Sequence, residues 1–230
     1  MTELTGWDES NVRDWLPRDT EAKGSELLVA WDTAACVIAT DRPRTSAVLD
    51  AGSGPGGFLG ALLAAFPEAS GTWLDSSPAM REEATQRLAG AADRITFFVD
   101  DLLTVGRPEW KGQFDAVLSS RITHHLSRQD LGTFYQYAHS ALRPGGWVAN
   151  LDSVRLPGEW DALIRRARKR YRADGAAANG EGGPSHPHLH PVPTMTDHLD
   201  AISGAGFGAE QTVWAAFSRV LIMARKPDDH

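Results

Sequence analysis

Residues Ser46–Pro67 read S-A-V-L-D-A-G-S-G-P-G-G-F-L-G-A-L-L-A-A-F-P, and this stretch determines the fold. A short apolar run ends at Asp50, and an apolar, helix-like run ends at Pro67. Between them stand the glycines Gly52, Gly54, Gly56 and Gly57. The pattern predicts a strand, a tight turn and a helix, which is how a nucleotide-binding α/β unit begins.

The glycines fit two motifs. Gly52, Gly54 and Gly57 match the dinucleotide pattern G-x-G-x-x-G, whereas Asp50 to Gly56 match D-x-G-x-G-x-G. The second form resembles the first motif of class I S-adenosylmethionine (SAM) dependent methyltransferases. An Asp at the strand end would repel a pyrophosphate but attract the ammonium group of SAM, directly or through water. The carboxylate therefore favours SAM over a dinucleotide.

Later segments resemble the same family in the same order. They are a strand ending in an acid (Gly71–Asp75), a third strand (Ile95–Val99), a fourth strand (Phe114–Ser119), a helix that ends in R-P-G-G at residues 143–146, and a C-terminal hairpin (Gln211–Phe217 and Arg219–Ala224). The resemblance implies an α/β fold, namely a three-layer α/β/α sandwich. Its seven-stranded, mostly parallel sheet has the order 3-2-1-4-5-7-6 and an antiparallel last strand.

The resemblance also implies a set of cofactor-binding residues. Asp75 follows the glycine loop at a spacing that suits a carboxylate accepting both ribose hydroxyls. In the family, an acid that follows the third strand and directly precedes an apolar residue hydrogen-bonds the exocyclic amine of adenine. Here that pair is Asp101 and Leu102, and the adjacent Asp100 is the alternative for the acid. The full predicted set is Asp50, Gly52, Ser53, Gly54, Gly56, Asp75, Ser76, Asp101, Leu102 and Ser119.

The loop after the fourth strand carries the candidate catalytic residues Arg121, His124 and His125. Methyl transfer requires in-line approach and desolvation, and an oxygen acid or ammonium acceptor must first lose a proton to a base such as histidine. In relatives with a similar H-H-L ending, however, these histidines often cap or pack under the next helix. Arg121 either pairs with an internal acid such as Asp152 or clamps an anionic group on the substrate. We therefore expect a small, anionic or amino-acid-like acceptor.

Two regions flank the predicted cofactor domain. Residues 1–44 are expected to form an N-terminal helical cap, with Leu27, Leu28, Trp31, Ala35 and Ile38 on one helix face and with Trp7 and Trp15 as pocket candidates. Residues 155–193 are expected to form a substrate cap or lid. This segment contains a basic helix and the alternating His186, His188 and His190, for which a lid role, a metal site and a plain loop all stay open.

Composition limits the other classes of protein. The chain has 230 residues in a single expected domain, 42% hydrophobic residues and a net charge of −7. The acidic balance argues against a nucleic-acid partner, and no apolar run has membrane-spanning length. The chain has one cysteine, Cys36, which excludes an intrachain disulfide and is expected to be buried. The single cysteine and the absence of a signal-like N-terminus together predict a cytoplasmic protein. Monomer and homodimer both stay open.

The sequence thus predicts a methyltransferase that converts SAM to S-adenosylhomocysteine while methylating an oxygen or nitrogen of a small molecule. Its rivals are an enzyme of the same fold with non-methylating chemistry, such as intramolecular cyclisation of SAM, and an interaction subunit without catalysis. No metal is predicted. Fold alone does not identify the acceptor.

Overall fold

The computed structural model describes residues 24–174 and 189–228. The predictions for Trp7, Trp15, His186 and His188 therefore lie outside the described residues. The proposed cap regions, 1–44 and 155–193, fall only partly within them.

A single mixed sheet forms the centre of the described structure. Its strands are β1 (Ala47–Ala51), β2 (Ser70–Asp75), β3 (Ile95–Val99), β4 (Phe114–Ser120), β5 (Leu142–Ser153), β6 (Gly208–Ala216) and β7 (Arg219–Arg225). The strand order is β3-β2-β1-β4-β5-β7-β6. Strands β1 to β5 pair in parallel, and β7 pairs antiparallel with both β5 and β6. The predicted topology is confirmed.

Helices cover both faces of this sheet. They are α1 (Gly24–Asp41), α2 (Gly57–Ala65), α3 (Pro78–Arg87), α4 (Arg128–Ala141), α5 (Glu159–Asp174) and α6 (Met195–Gly204). Val48 points into the core under α1, α2 and α3, whereas its neighbour Leu49 points into the core under α4 and α6. Because strand residues alternate between two buried faces, the strands appear in the sequence as continuous apolar runs.

Two of the helices begin at side-chain caps. The Ser77 side chain accepts a hydrogen bond from the Met80 amide, with Pro78 at the first helical position of α3. Thr194 and Asp197 form a capping box at α6. These caps fix where two of the helices begin, so that α3 starts directly after the acid that ends β2.

Some side-chain predictions for α1 are wrong. Leu27, Trp31 and Ile38 are buried as expected, but Leu28 is 50% exposed. Cys36 is exposed rather than buried. A helix turns about 100° per residue, so positions next to the buried stripe face away from the sheet. None of the helices within the described ranges is long and apolar enough to cross a lipid bilayer.

Candidate functional site

A pocket opens at the carboxyl ends of β1, β2 and β4, and it encloses about 810 Å³ including its open mouth. The order of the parallel strands reverses between β1 and β4, and this is where α/β sheets bind ligands. Among the predicted cofactor residues, those that line the pocket are Gly52, Ser53, Gly54, Asp75, Ser76 and Leu102.

The glycine loop is shaped by its backbone. Gly52 has φ 72°, and a Cβ atom there would lie 2.6 Å from Cγ2 of Ile122. Gly54 has φ 53°, and the nearest atom to a Cβ there is Sδ of Met80, 4.0 Å away. The first glycine lets the loop pass the chain after β4, while the second leaves open space for a ligand to lie against the backbone.

Asp75 holds the loop and faces the pocket. Its Oδ2 accepts a hydrogen bond from the Gly54 amide (2.8 Å), and its Oδ1 accepts one from the Ser77 amide (2.9 Å). The Gly54 carbonyl in turn accepts from Nε1 of Trp73 (2.9 Å). Burial raises the pKa of Asp75. A carboxylate has about four acceptor positions, so Asp75 retains capacity toward ligand hydroxyls.

Asp50 lies beneath the loop instead of at the pocket surface. Its carboxylate is fully buried, and Oδ2 accepts from Oγ of Ser53 (2.7 Å) and from the Leu59 amide (3.1 Å). Its Oδ1 has no partner among the described residues. Burial raises the pKa of Asp50 to about 6. The expectation that this carboxylate faces the ligand is therefore not met, and Asp50 anchors the turn between β1 and α2.

The other predicted cofactor side chains lie outside the pocket lining. Oδ1 of Asp101 accepts from the Leu103 amide (2.8 Å) and caps a short 3-10 turn, while Asp100 pairs with Arg107. Gly56 is covered by Leu88, because a Cβ at Gly56 would lie 2.6 Å from Cδ1 of Leu88. Ser119 is fully buried. In the described segment between β3 and β4, the apolar Leu102 is the residue that lines the pocket.

The histidine loop contains a close contact between the His124 ring and the carboxylate of Asp152. Nδ1 of His124 lies 2.6 Å from Oδ1 of Asp152, a residue of β5. Oδ2 of Asp152 accepts from Oγ1 of Thr123 (2.7 Å) and from the His124 amide (2.9 Å). Burial alone would raise the pKa of Asp152, but His124 and Thr123 hold it well below its usual range. The His125 ring lies against the His124 ring, with centroids 4.1 Å apart. Neither histidine is in the described pocket lining, which ends at Ile122.

Arg121 lines the pocket in an unusual backbone conformation. It has φ 62°, a left-handed value that is uncommon for a residue with a side chain, and its amide donates to the Leu151 carbonyl (2.8 Å). Asp152, the acid named as an example of an internal partner for Arg121, is instead bonded to Thr123, His124 and the Ser153 amide.

Residues 48–146 match the sequence model of the methyltransferase domain family. Over these residues the chain contains a methyltransferase domain, and its strand order is that of the class I SAM-dependent methyltransferase fold. Trans-aconitate 2-methyltransferase of Methylobacterium radiotolerans is 30% identical over 148 residues, which are 64% of this chain and 51% of that protein. Aclacinomycin 10-hydroxylase of Streptomyces purpurascens is 34% identical over 113 residues, which are 49% of this chain and 29% of that protein.

The methyltransferase domain is also similar to solved structures. Human N-acetylserotonin methyltransferase in complex with SAM superposes with a TM-score of 0.62 at 18% identity, covering 96% of this chain and 57% of that one. This likeness concerns the fold. The chain spans 51% or less of the length of the two curated relatives named above. The family match confirms the predicted resemblance and the choice of SAM over a dinucleotide.

The pocket chemistry fits SAM. Asp75 could accept hydrogen bonds from ribose hydroxyls, Met80 and Leu102 could form an apolar surface for a base, and the backbone at Gly54 is open. Oγ of the pocket-lining Ser120 is buried without a partner among the described residues, which leaves a donor for a ligand group. No cluster of metal-ligating side chains occurs within residues 24–174 and 189–228.

The motifs did not indicate every lining residue of the methyltransferase domain. The additional ones are Trp31, Pro55, Gly57, Phe58, Met80, Arg87, Ser120 and Ile122. Trp31 belongs to the apolar helix face predicted for the N-terminal region, and its ring packs close to Gly57 and stacks on Phe58, with centroids 6.1 Å apart. Its apolar position in the helix pattern carried no sign of these contacts.

Proposed function

We propose that this chain is a SAM-dependent methyltransferase that methylates an oxygen or nitrogen of a small, anionic or amino-acid-like metabolite and releases S-adenosylhomocysteine. The observation that carries the proposal is the pocket at the switch point of the sheet, which is lined by both Asp75 and Arg121. This is the place where an open α/β sheet binds its ligand.

In this proposal, the chain's own residues hold and orient the reactants. Asp75 accepts the ribose hydroxyls, Leu102 and Met80 pack against the adenine, and the open backbone at Gly54 supports the methionine moiety. SAM supplies an electrophilic methyl group when it is bound. The protein's contribution is then to exclude water and to align the acceptor behind the methyl carbon.

We assign the general base to His124. Its Nδ1–H donates to the buried Asp152, so Nε2 carries the basic lone pair. Asp152 fixes this tautomer and stabilises the imidazolium that forms when the acceptor gives up its proton. His124 follows Ile122, the last pocket-lining residue of this loop, by two residues. In this proposal the loop borders the reacting groups.

Arg121 is the feature that points to an anionic acceptor. Arg121 lines the pocket, and its guanidinium carries a planar set of N–H donors that matches the geometry of a carboxylate. A carboxylate of the acceptor would be bound by a bidentate pair of hydrogen bonds.

One observation favours a second function. Among the relatives of this chain is a protein named a hydroxylase, 34% identical over its matched segment. A SAM-binding enzyme with non-methylating chemistry therefore stays the alternative, and analysis of the product separates the two.

The test is to incubate the protein with methyl-labelled SAM and a panel of small hydroxy acids, amino acids and neutral phenols, and to follow products by mass spectrometry. A labelled acceptor together with S-adenosylhomocysteine supports the proposal. A cleaved or cyclised SAM, or an oxygenated acceptor, contradicts it. We expect His124→Asn to lower kcat about 10²-fold or more with SAM affinity retained, as for loss of a general base. His125→Asn is expected to have a much smaller effect.

A variant of Arg121 tests whether the acceptor is anionic. Arg121→Gln should raise the KM for an anionic acceptor about tenfold or more, the cost of one lost charge-assisted hydrogen bond, and leave the Kd of SAM unchanged. If the KM does not move, or if neutral phenols are the better acceptors, the anionic acceptor is excluded.

A further inference from the structure

A row of buried polar side chains lies beneath the His124–Asp152 pair. Thr123, Tyr135, Asn150 and His198 are each 1% exposed or less. They come from the loop after β4, from α4, from β5 and from α6. Buried polar groups lower stability unless they satisfy one another, and this row stands in the otherwise apolar core between the sheet and α4.

The hydrogen bonds of this row run in fixed directions. Nδ2 of Asn150 donates to Oγ1 of Thr123 (3.0 Å) and to the hydroxyl of Tyr135 (2.9 Å), which uses both of its protons. Each hydroxyl then has one proton to donate onward. Thr123 donates to Oδ2 of Asp152 (2.7 Å), and Tyr135 is left to donate to Nδ1 of His198 (3.0 Å).

This arrangement requires a neutral His198, because its Nδ1 must accept. Burial lowers the pKa of His198, which is consistent with that state. Burial also raises the pKa of Tyr135, so its hydroxyl keeps the proton that it donates. The amide of Asn150 is thus the branch point from which one arm leads to Asp152 and the other ends at His198.

We propose that Thr123, Asn150, Tyr135 and His198 are positioning residues that fix the orientation of the Asp152 carboxylate and thereby tune the basicity of His124. The proposal rests on the role of His124 as base in the proposed function. With Thr123 holding Oδ2, the other oxygen stays directed at Nδ1 of His124. Without that donor, the carboxylate keeps its bonds to the His124 and Ser153 amides but loses one stabilising hydrogen bond, so that its negative charge acts more strongly on the imidazole.

The first test compares Thr123→Val with Thr123→Ser, because valine keeps the volume and removes the donor while serine keeps the donor. We expect Thr123→Val to lower kcat about tenfold, as for loss of a hydrogen bond to a charged group, and Thr123→Ser to stay within about twofold of the wild type. The Kd of SAM should not change. NMR titration of the His124 ring should show its pKa raised in Thr123→Val, and the acidic limb of the kcat profile should move with it.

The second test removes the farther link. Tyr135→Phe deletes a hydroxyl from the row, and Tyr137→Phe is its matched control from the same helix, because Tyr137 makes no hydrogen bond to these four side chains. We expect Tyr135→Phe to lower kcat about threefold and to shift the His124 titration in the same direction, since a neutral hydrogen bond contributes less than a charged one. Tyr137→Phe should change neither quantity.

The outcomes separate this inference from the proposed function. An unchanged His124 titration in Thr123→Val and Tyr135→Phe overturns the inference, even if the wild type methylates its acceptor. Equal losses in Thr123→Val and Thr123→Ser, with unchanged titration, indicate a structural role only and also overturn it. If the variants shift the His124 titration but the wild type yields no methylated product, the coupling is supported and the proposed function is overturned. If Thr123→Val does not fold, the Tyr135→Phe result alone decides.

Discussion

Asp50 is a buried carboxyl group whose charge the described protein only partly compensates. Burial raises its pKa from 3.8 to about 6, while Ser53 and the Leu59 amide oppose the shift. A folded-state pKa above the unfolded value means that the folded state holds an extra proton between them. The contribution of Asp50 to stability is therefore most favourable below about pH 4 and is lost as the pH rises to about 6.

We expect Asp50→Asn to stabilise the ligand-free protein near neutral pH by about 1–2 kcal/mol. This gain is smaller than the roughly 3 kcal/mol that the pKa shift represents, because the NH₂ group of the new amide is also buried. The same variant should bind SAM more weakly, since it removes the negative charge behind the loop. Urea unfolding across about pH 4 to 7 measures the first effect, and calorimetric titration with SAM measures the second. Asp93→Asn, at an exposed position, is the control. Lower stability of Asp50→Asn at every pH contradicts this account.

At the residue scale, the sequence predicted positions better than side-chain directions. Asp75 lies in the pocket as its spacing after the glycine loop suggested. Asp50 and Asp101 occupy the expected motif positions, but their carboxylates bond to nearby backbone amides. A motif states which residue follows a strand. It does not state whether that carboxylate turns toward the ligand or toward the start of the next helix, because a ligand group and a backbone amide can both lie within its reach.

The glycine loop gives a test at the scale of one element. Gly52→Ala should destabilise the protein by about 1–3 kcal/mol, because a left-handed residue acquires a Cβ and Ile122 must move. The displaced Ile122 would also narrow the pocket and weaken SAM binding. Gly132→Ala in α4 is the matched control. A Cβ there meets nothing within 4 Å, so a helical alanine should stabilise by about 0.5–1 kcal/mol. Chemical denaturation compares the two, and a Gly52→Ala midpoint equal to that of the wild type contradicts the prediction.

The elements themselves were predictable where their pattern is local. Helix caps and apolar periodicity placed α3, α4 and α6, and continuous apolar runs placed β1 to β4. The start of β5 was not predicted. The sequence suggested a helix that ends in R-P-G-G at residues 143–146, but α4 ends at Ala141 and β5 begins at Leu142. The reason is long-range pairing: Leu142 is the register partner of Phe114 in β4, and the register shifts before the next pair, Ala116 and Trp147.

At the scale of the whole molecule, the pocket combines distant segments. Trp31 of α1, Met80 of α3 and Ile122 after β4 meet around the glycine loop only because the sheet brings their elements together. Strand order could be inferred from the family resemblance, so the site's location was predictable. Its apolar walls were not, because an apolar residue on a helix face has the same pattern whether it meets a core or a ligand.

The opposite end of the sheet is held together by Asp115, and its loss should affect the whole fold. Asp115 accepts from Nη2 of Arg42 (3.0 Å), Nη1 of Arg143 (2.9 Å) and the amides of Ser46 (2.8 Å) and Ala47 (3.1 Å). It thereby joins the end of α1, the start of β1 and the R-P-G-G segment. Burial alone would raise the pKa of Asp115, but Ser46 and Arg143 lower it overall.

We expect Asp115→Asn to reduce the free energy of unfolding by about 2–4 kcal/mol near neutral pH, since two arginines lose a buried partner. A lowered folded-state pKa stabilises the fold above the unfolded value, about 4, and that stability is lost as the pH falls further. The wild type should therefore lose stability on acidification below about pH 4 more steeply than Asp115→Asn. Asp200→Asn is the control, because its carboxylate pairs with Arg128 but is 60% exposed. Parallel urea titrations of the three proteins at several pH values measure the free energy of unfolding. Equal acid sensitivity of the wild type and Asp115→Asn would show that this carboxylate does not hold the sheet end together.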